Sequence, residues 1–503
     1  MKGGKIKKAL ILMPFSIVKA FQQPLLAIAK ILNEQKIELT VVHCRQAMKN
    51  GCNTMLAHKI GFNSPAKEKK EICNECYCAS TSLAKWYPWK TVWLEEQDLQ
   101  SRNHNQKLLS NSELKKISGY EVKLVEKTHS KLSKEGLREW KNRNTDLKNI
   151  MPQAWSILVT EKPDFILSFN TLYGIHQLFM KLSKKLKIPI FSAYEGYHAN
   201  KNDEFILQKN DNSLFLEEIL KKRSINHINT KDMENIKHHI SGIIHGTRPW
   251  HYSQKTIAED KREPKKSRTK VLITLSSADE VVAANSLGIL PKIKNKIFDN
   301  QIDWLKWVFR FAKKHPEALF YIRPHPRIYP NNREDILSPF ARKLAKIRNE
   351  ERPKNVIWPV QEEQGSLWQH LDDTDIMLNG WSSVSEVFGF YGIPTYCFFP
   401  KYSNSTGKTE KTFGSIKMYE TDISRTINNP QRKKNPKLVL WLHKLLTHNT
   451  VQIHWSLPGW FRLFRKFVPR KKLESFDINI FNRFAKIHAD VGKLINIIEH
   501  QIK

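Results

Sequence analysis

Short apolar runs alternate with helix-periodic segments in both halves of this 503-residue chain, and that alternation confines it to a parallel α/β fold. In the first half, Lys8 to Met13 and Leu39 to His43 read as strands around a helix over Phe21 to Leu32. Phe165 to Phe169, a helix around Tyr173 to Lys187, and Ile190 to Ala193 repeat the unit. The second half gives strands at Lys270 to Leu275, Ala318 to Ile322, Asn355 to Trp358, Asp375 to Leu378 and Thr395 to Phe398. Helices fall at Ile302 to Lys314 and Ser383 to Tyr391. Strands joined through helices run parallel and wind doubly, so the expectation is two Rossmann-like sheets with ligands beyond the carboxyl ends of the strands and a cleft between the domains. At 40% hydrophobic residues the chain is long enough for two cores. The expected divisions are a domain over 1–213, a helical and charged connection over 214–268 that closes with EDKREPKKSRTK, a second domain over 269–425, and a basic, aromatic helical extension over 426–503.

Two features bear on compartment and partner. The start, MKGGKIKK followed by ALILMPFSIV, has the charge order of a secretory leader. Its apolar run stops at Pro14 and leads into a helix and a second strand, so it reads as a first cytoplasmic strand. No segment is apolar for the length a membrane-crossing helix needs. Lys and Arg number 83 against 49 Asp and Glu, a net charge of +34 that calls for an anionic partner. No zinc finger, RRM, KH or helix-turn-helix signature accompanies the charge, which places nucleic acid below a nucleotide-activated sugar and an anionic membrane face.

The chemistry concentrates in two motifs. RPHPR (Arg323 to Arg327) ends a strand, and GWSSVSEVFGFYGIP (Gly380 to Pro394) joins a strand to a helix opened by Ser382, Ser383 and Ser385. Hydroxyls and free N–H groups at a helix start, with His325, Arg323 and Arg327 supplying positive charge, suit a phosphate; serines that only cap a helix are the plainer alternative. Glu386, one turn in, is placed either to hold a donor hydroxyl or to complement the helix dipole. Ser276 and Ser277 follow the first strand of the second half and would add donors. Asp373-Thr374-Asp375 precedes a strand and reads as a turn rather than a metal-holding acid pair. Glu195 in IPIFSAYEGYH follows a buried strand and Gly196 permits a sharp turn, which places a carboxylate where it can act as a base or simply sit in a surface turn. His198, Asp279 and Glu280 are lesser candidates for that task.

KVLITLSSADE (Lys270 to Glu280), the segment Gln301 to Arg327, NVIWP (Asn355 to Pro359) and the serine motif through Pro394 together resemble the nucleotide-binding domain of GT-B capsule and lipopolysaccharide glycosyltransferases. The order is similar to the capsule polysaccharide biosynthesis group that includes Kdo transferases. The resemblance implies a GT-B fold and an inverting, metal-independent transfer from a nucleotide-sugar donor, CMP-Kdo-like before UDP- or GDP-sugars, to a glycan or lipid-linked glycan acceptor. It assigns His325, Ser382 and Ser383 to the donor phosphate. In the acidic-Gly motif of such enzymes the base matches Glu195, although Tyr194 stands where some relatives carry a second acid. A CDP-alditol phosphotransferase would use the same motifs with attack at phosphorus, and a nucleic-acid-binding protein would explain the charge but not the motif order.

Three further features stand outside that reading. Cys44, Cys52, Cys73 and Cys76, with Cys78 close behind, allow a structural zinc site or a set of reduced thiols, and Cys397 reads as core. WYPWKTVWLEE (Trp86 to Glu96) reads as a loop whose rings would stack on an acceptor sugar or pack between domains. LPGWFRLFRKFVPRKK (Leu457 to Lys472) has an interfacial composition: Trp460, Phe461, Phe464 and Phe467 would dip into lipid while Arg462, Arg465 and Lys466 meet anionic headgroups. The alternative is a segment packing back on the first domain.

Overall fold

The computed structural model describes residues 6–95, 108–128, 131–195, 204–209, 228–245, 268–277, 279, 283–285, 288, 297–330, 336–349, 352–360, 365–398, 410–411, 413–447, 450–457, 468, 477, 480–481, 483 and 485–502. In chain order the strands are β1 (Lys8–Leu12), β2 (Glu38–Arg45), β3 (Lys90–Glu95), β4 (Phe165–Ser168), β5 (Ile190–Glu195), β6 (Glu204–Lys209), β7 (Lys270–Thr274), β8 (Leu319–Arg323), β9 (Val356–Ile357), β10 (Ile376–Asn379), β11 (Thr395–Cys397), β12 (Glu410–Lys411), β13 (Thr450–Ser456) and β14 (Lys486–Ala489). The helices are α1 (Lys19–Glu34), α2 (Asn53–Ala57), α3 (Ala66–Trp86), α4 (Asn111–Val125), α5 (Lys134–Glu161), α6 (Gly174–Lys185), α7 (Thr230–Ile244), α8 (Gln301–Lys314), α9 (Pro339–Asn349), α10 (Val384–Phe390), α11 (Ile416–Asn428), α12 (Pro436–Thr447) and α13 (Val491–Ile502). They divide into two compact units: Met1–Glu126, Ser130–Ser213 and Asn449–Lys503 form unit 1, and Lys127–His129 with Leu214–His448 form unit 2.

Unit 1 is built on one sheet of order β14-β13-β6-β5-β4-β1-β2-β3. The run from β5 to β3 is parallel, and β6, β13 and β14 add antiparallel strands at one side. The central strand is β1, whose side chains alternate between two layers, as the period of a strand requires. Ala9 and Ile11 pack with Leu25 to Ala29 of α1 and with Leu494 and Ile498 of α13, while Leu10 and Leu12 pack with residues of α4, α5 and α6. A strand covered on both faces must be apolar throughout, which is why the stretch after the initial lysines reads so much like a leader.

Unit 2 holds a six-stranded parallel sheet of order β12-β11-β10-β7-β8-β9. Val271 and Ile273 of β7 face α8 and α11, and Leu272 faces Val384 and Phe388 of α10. The amino ends of the inner strands are tied alike in both units: Asp164 Oδ2 accepts from the N–H groups of Lys7 and Lys8 at 2.8 and 2.9 Å, and Asp375 Oδ2 accepts from Lys270 N at 2.9 Å. Asp373 pairs with the Lys270 ammonium. The Asp373-Thr374-Asp375 turn therefore braces the edge opposite the strand carboxyl ends.

Three expectations change. The Trp86 to Glu96 stretch is not a loop: Lys90–Glu95 is an edge strand parallel to β2, and the Trp93 ring lies 5.5 Å from His43, so Thr91, Val92 and Trp93 are spent on sheet formation. The region 426–503 is not a helical extension of its own. α12 stays in unit 2, while β13, β14 and α13 complete the unit 1 sheet and core. Within 214–268, α7 belongs to unit 2, with His443 3.6 Å from Asp232.

Candidate functional site

The carboxyl edge of the unit 2 sheet gathers the motifs. β7 lies between β10 and β8, with Asn379, Thr274 and Arg323 in register across the three strands. The segments after these strands therefore emerge side by side, and two strand spacings put the serine motif and the His-Pro motif about 10 Å apart.

Asn379 organises the serine side. Its side chain is fully buried; Oδ1 accepts from Thr274 Oγ1 at 2.8 Å and from Ser382 N at 3.2 Å, and Nδ2 donates to Ser382 O at 2.8 Å. That clasp turns the chain immediately after the strand. Gly380 is required by close approach, since a Cβ there would stand 2.6 Å from Ser276 Oγ and 2.9 Å from Gln301 Oε1. Ser276 Oγ accepts from Trp381 N at 2.8 Å, and Gln301 brackets the Ser276 backbone at 2.8 and 2.9 Å. Ser385 is buried and donates to Ser382 O at 3.1 Å. Ser382 and Ser383 differ from the rest. Both are half-buried, Ser383 makes no capping bond from its side chain, and among the described residues neither hydroxyl has a hydrogen-bond partner.

The His-Pro side is built around charge. Arg327 and Asp279 form a buried ion pair with Nε 3.2 Å from Oδ2, and Ser277 donates its hydroxyl proton to Asp279. Arg323 is 7% exposed and donates from Nη2 to Gly365 O at 2.7 Å; burial lowers its pKa to about 10, so it stays charged at neutral pH. His325 is half-buried and its Nδ1 accepts from Arg327 N at 3.2 Å, which leaves the ring proton on Nε2. Burial first, and the Arg327 charge second, lower its pKa to about 4. His325 is thus a neutral N–H donor at pH 7, not the cation that the sequence suggests. Asp279 is not a spare base either, because Arg327 and Ser277 occupy it.

Other placements also differ from expectation. Glu386 is 2% exposed, and its Oε1 accepts from Trp441 Nε1 at 3.2 Å, so it clamps α12 onto α10 instead of offering a carboxylate to a sugar hydroxyl. Ser276 and Ser277 brace neighbouring segments, with hydroxyls buried. In unit 1, Glu195 ends β5 at the strand's carboxyl end; Gly196, His198 and Glu280 lie outside the described residues. So do Trp460, Phe461, Arg462, Phe464, Arg465, Lys466 and Phe467. Among the described residues no helix is long and apolar enough to cross a membrane.

Cys44 on β2, Cys52 at the start of α2, and Cys73 and Cys76 on one face of α3 do gather. Burial is the main cause raising each thiol's pKa, and repulsion from neighbouring thiols adds to it for Cys44, Cys73 and Cys76; Cys73 rises to about 12 and Cys76 to about 11. The zinc expectation is nonetheless corrected. Among the described residues no three His, Cys, Asp or Glu side chains stand where they could hold a metal ion. Cys76 Sγ turns instead to Pro14 O at 3.8 Å and Thr54 Oγ1 at 3.9 Å and packs against Ile17, as a small apolar filler does. Cys397 is buried under Gly380 O.

Sequence reasoning missed Asn379 and Gln301. A polar residue closing an apolar strand directly before Gly-Trp-Ser-Ser was the available signal for the first; Gln301 carries none, because its role depends on how α8 docks.

No family model matches this chain, and no curated protein matches it. Among solved structures it is similar to the KpsC β-Kdo 2,4-transferase of Thermosulfurimonas dismutans, at 12% identity and a TM-score of 0.36 over 58% of this chain and 82% of that one. It is also similar to the UDP-GlcNAc 2-epimerase of Neisseria meningitidis, at 14% identity and a TM-score of 0.29 over 88% and 99%. The calicheamicin glycosyltransferase CalG4 is a third, at 10% identity and a TM-score of 0.27 over 89% and 95%. Likeness of this degree fixes neither a family nor an activity for the chain.

Proposed function

We propose that the chain is a GT-B glycosyltransferase that moves a sugar from a nucleotide-activated donor, with a CMP-Kdo-like acidic sugar favoured, to a capsule or lipopolysaccharide glycan. The observation that carries this reading is the pair of half-buried hydroxyls of Ser382 and Ser383, which have no partner among the described residues, together with a neutral His325 whose proton sits on Nε2. All three stand at a strand carboxyl edge, where α/β sheets take their ligands. Such a set gives O–H and N–H donors to phosphate oxygens, with the Arg323 charge behind them.

In the proposed reaction the acceptor oxygen attacks the anomeric carbon as the bond from that carbon to the phosphate oxygen breaks. The acceptor proton passes to Glu195, and the charge left on the nucleotide phosphate is met by Ser382, Ser383, His325 and Arg323. Because Asp373 and Asp375 serve the opposite edge of the sheet, charge neutralisation in this proposal falls to these donors rather than to an acid-held metal ion. The basic, aromatic segment over 457–472 is proposed to hold the enzyme at an anionic membrane face, which flotation with anionic against neutral liposomes tests.

The direct test is nucleotide release from CMP-, UDP- and GDP-sugars with and without glycan acceptors. Release that requires an acceptor and is lost in Glu195→Gln is the expected result. Acceptor-independent conversion of a sugar nucleotide, or transfer of an alditol phosphate from a CDP-alditol, would overturn the reading.

A further inference from the structure

Lys127 belongs to the short segment Lys127–His129 of unit 2, and its side chain is fully buried at 0% exposure. Burying an ammonium costs free energy unless hydrogen bonds replace its water. Here Nζ donates to the carbonyls of Tyr329 and Ile336, each at 2.8 Å. Both carbonyls belong to the chain that leaves the His-Pro motif. Ser338, also fully buried, stands on the same side: its Oγ lies 3.4 Å from Lys127 O, and its N–H donates to Ile328 O at 2.9 Å.

The backbone at Lys127 does not explain this burial. Its φ of 49° lies in the left-handed region, which Lys36, Lys59, Lys162 and Lys187 share, each just past the end of a helix, where that conformation is common. Those four side chains are exposed. Lys127 occupies the same place after α4 yet turns its ammonium inward, so helix termination accounts for the conformation and leaves the buried charge to be explained by what it grips.

The path from the ammonium to the imidazole is short. Tyr329, whose carbonyl Lys127 holds, donates its own N–H to Pro326 O at 3.2 Å; Ile328 N donates to His325 O, and Arg327 N to His325 Nδ1, both also at 3.2 Å. These bonds shape a single 3-10 turn over Pro326–Ile328. One such turn has weak hydrogen-bond geometry and gains nothing from cooperative extension, so its shape depends on anchors outside it. Asp279 anchors the Arg327 side chain in the middle of the turn, and Lys127 anchors the carboxyl end. We propose that Lys127 is a positioning residue of the donor site: it fixes the turn after His325 so that the Arg327 N–H stays on Nδ1 and the ring proton stays on Nε2, aimed at a donor phosphate. The role rests on the transferase reading, but part of its test needs no nucleotide.

Long-range proton–nitrogen NMR on the full chain with labelled histidine, the His325 signals being those lost in His325→Ala, reads the ring directly. In the parent the two ring nitrogens are expected to differ widely in shift, as a single tautomer requires. In Lys127→Met, which keeps the length of the lysine stem, they are expected to draw together as the tautomers mix. Lys127→Gln retains an N–H donor, should lie between the two, and carries the comparison if the Met variant fails to fold. Calorimetric titration with CMP, UDP and GDP gives the second reading. Either substitution should weaken the tightest of these nucleotides by about tenfold or more, yet add no further loss in the His325→Ala background, because the lysine acts through that ring. His325 signals unchanged in both variants, or an equal loss of affinity with and without His325, would overturn the proposal. A parent chain that binds none of the nucleotides would refute the transferase reading, and the NMR comparison would still decide whether Lys127 holds His325.

Discussion

Arg327 and Asp279 form an ion pair that is almost sealed from solvent: Nε stands 3.2 Å from Oδ2, and both side chains are 2% exposed or less. The pair joins the segment after β8 to the segment after β7 and fixes the backbone that carries His325. Asp279→Ala is predicted to cost roughly 3–5 kcal/mol by leaving Arg327 buried and uncompensated. Urea denaturation checks this; a loss below about 1 kcal/mol would show that the pair is not what holds the two segments.

Gly380→Ala places a methyl 2.6 Å from Ser276 Oγ. Either Ser276 loses its bond to Trp381 N or the serine turn shifts, so the expected cost is about 1–3 kcal/mol, with nucleotide affinity falling as well. Thermal unfolding and calorimetric titration with CMP and UDP measure the two effects. A variant as stable and as tight-binding as the parent would mean that the turn is looser than the distances imply.

Glu386→Ala and Ser382→Ala separate framework from site. Glu386→Ala leaves Trp441 Nε1 without its partner, which should lower stability by about 1–3 kcal/mol with nucleotide affinity nearly unchanged in the folded fraction. Ser382→Ala removes a half-buried hydroxyl that has no partner among the described residues, so stability should hold while affinity drops about tenfold. The opposite pattern would return Glu386 to the ligand.

Four histidines tie stability to acid. Burial is the largest cause lowering His43 and His325 to about 4 and His176 and His370 to about 3, from an ordinary 6.5. The unfolded chain therefore binds more protons between pH 6.5 and those values. Their stabilising contribution is complete above about pH 6.5 and is lost as pH falls toward 3, by up to about 1.4 kcal/mol per unit for each histidine. Urea midpoints followed from pH 7.5 to 4 should fall below pH 6.5, and less steeply in His176→Phe. A flat profile would contradict the burial of these rings.

Much of the sheet was legible because inner parallel strands are apolar on both faces and stand between amphipathic helices, so β1, β4, β7 and β10 show in the letters alone. Antiparallel β6, β13 and β14 were not, since the seam that brings β13 and β14 to this sheet pairs Thr450 with Ile206, residues too far apart in the chain for any local pattern to join. Strand β3 was hidden by tryptophans that resemble an exposed stacking loop. At the site, the two motifs and their common edge could be read, but not the division of labour within them. Ser276, Ser277, Arg327 and Glu386 have the chemistry of ligands and are consumed by neighbours that only packing reveals. The charge of His325 was misjudged for the same reason, because a pKa depends on burial and on Arg327.

The most direct test of the donor site is calorimetric titration of the chain with CMP, UDP and GDP, repeated for Ser383→Ala and His325→Ala at pH 7 and at pH 5.5. A neutral imidazole donating from Nε2 predicts tight binding of at least one nucleotide, weakened about tenfold or more by each substitution. His325 should contribute equally at the two pH values, because its pKa of about 4 lies below both. Nucleotide binding indifferent to both substitutions, or a His325 contribution that grows as the pH falls through 6.5, would contradict the account.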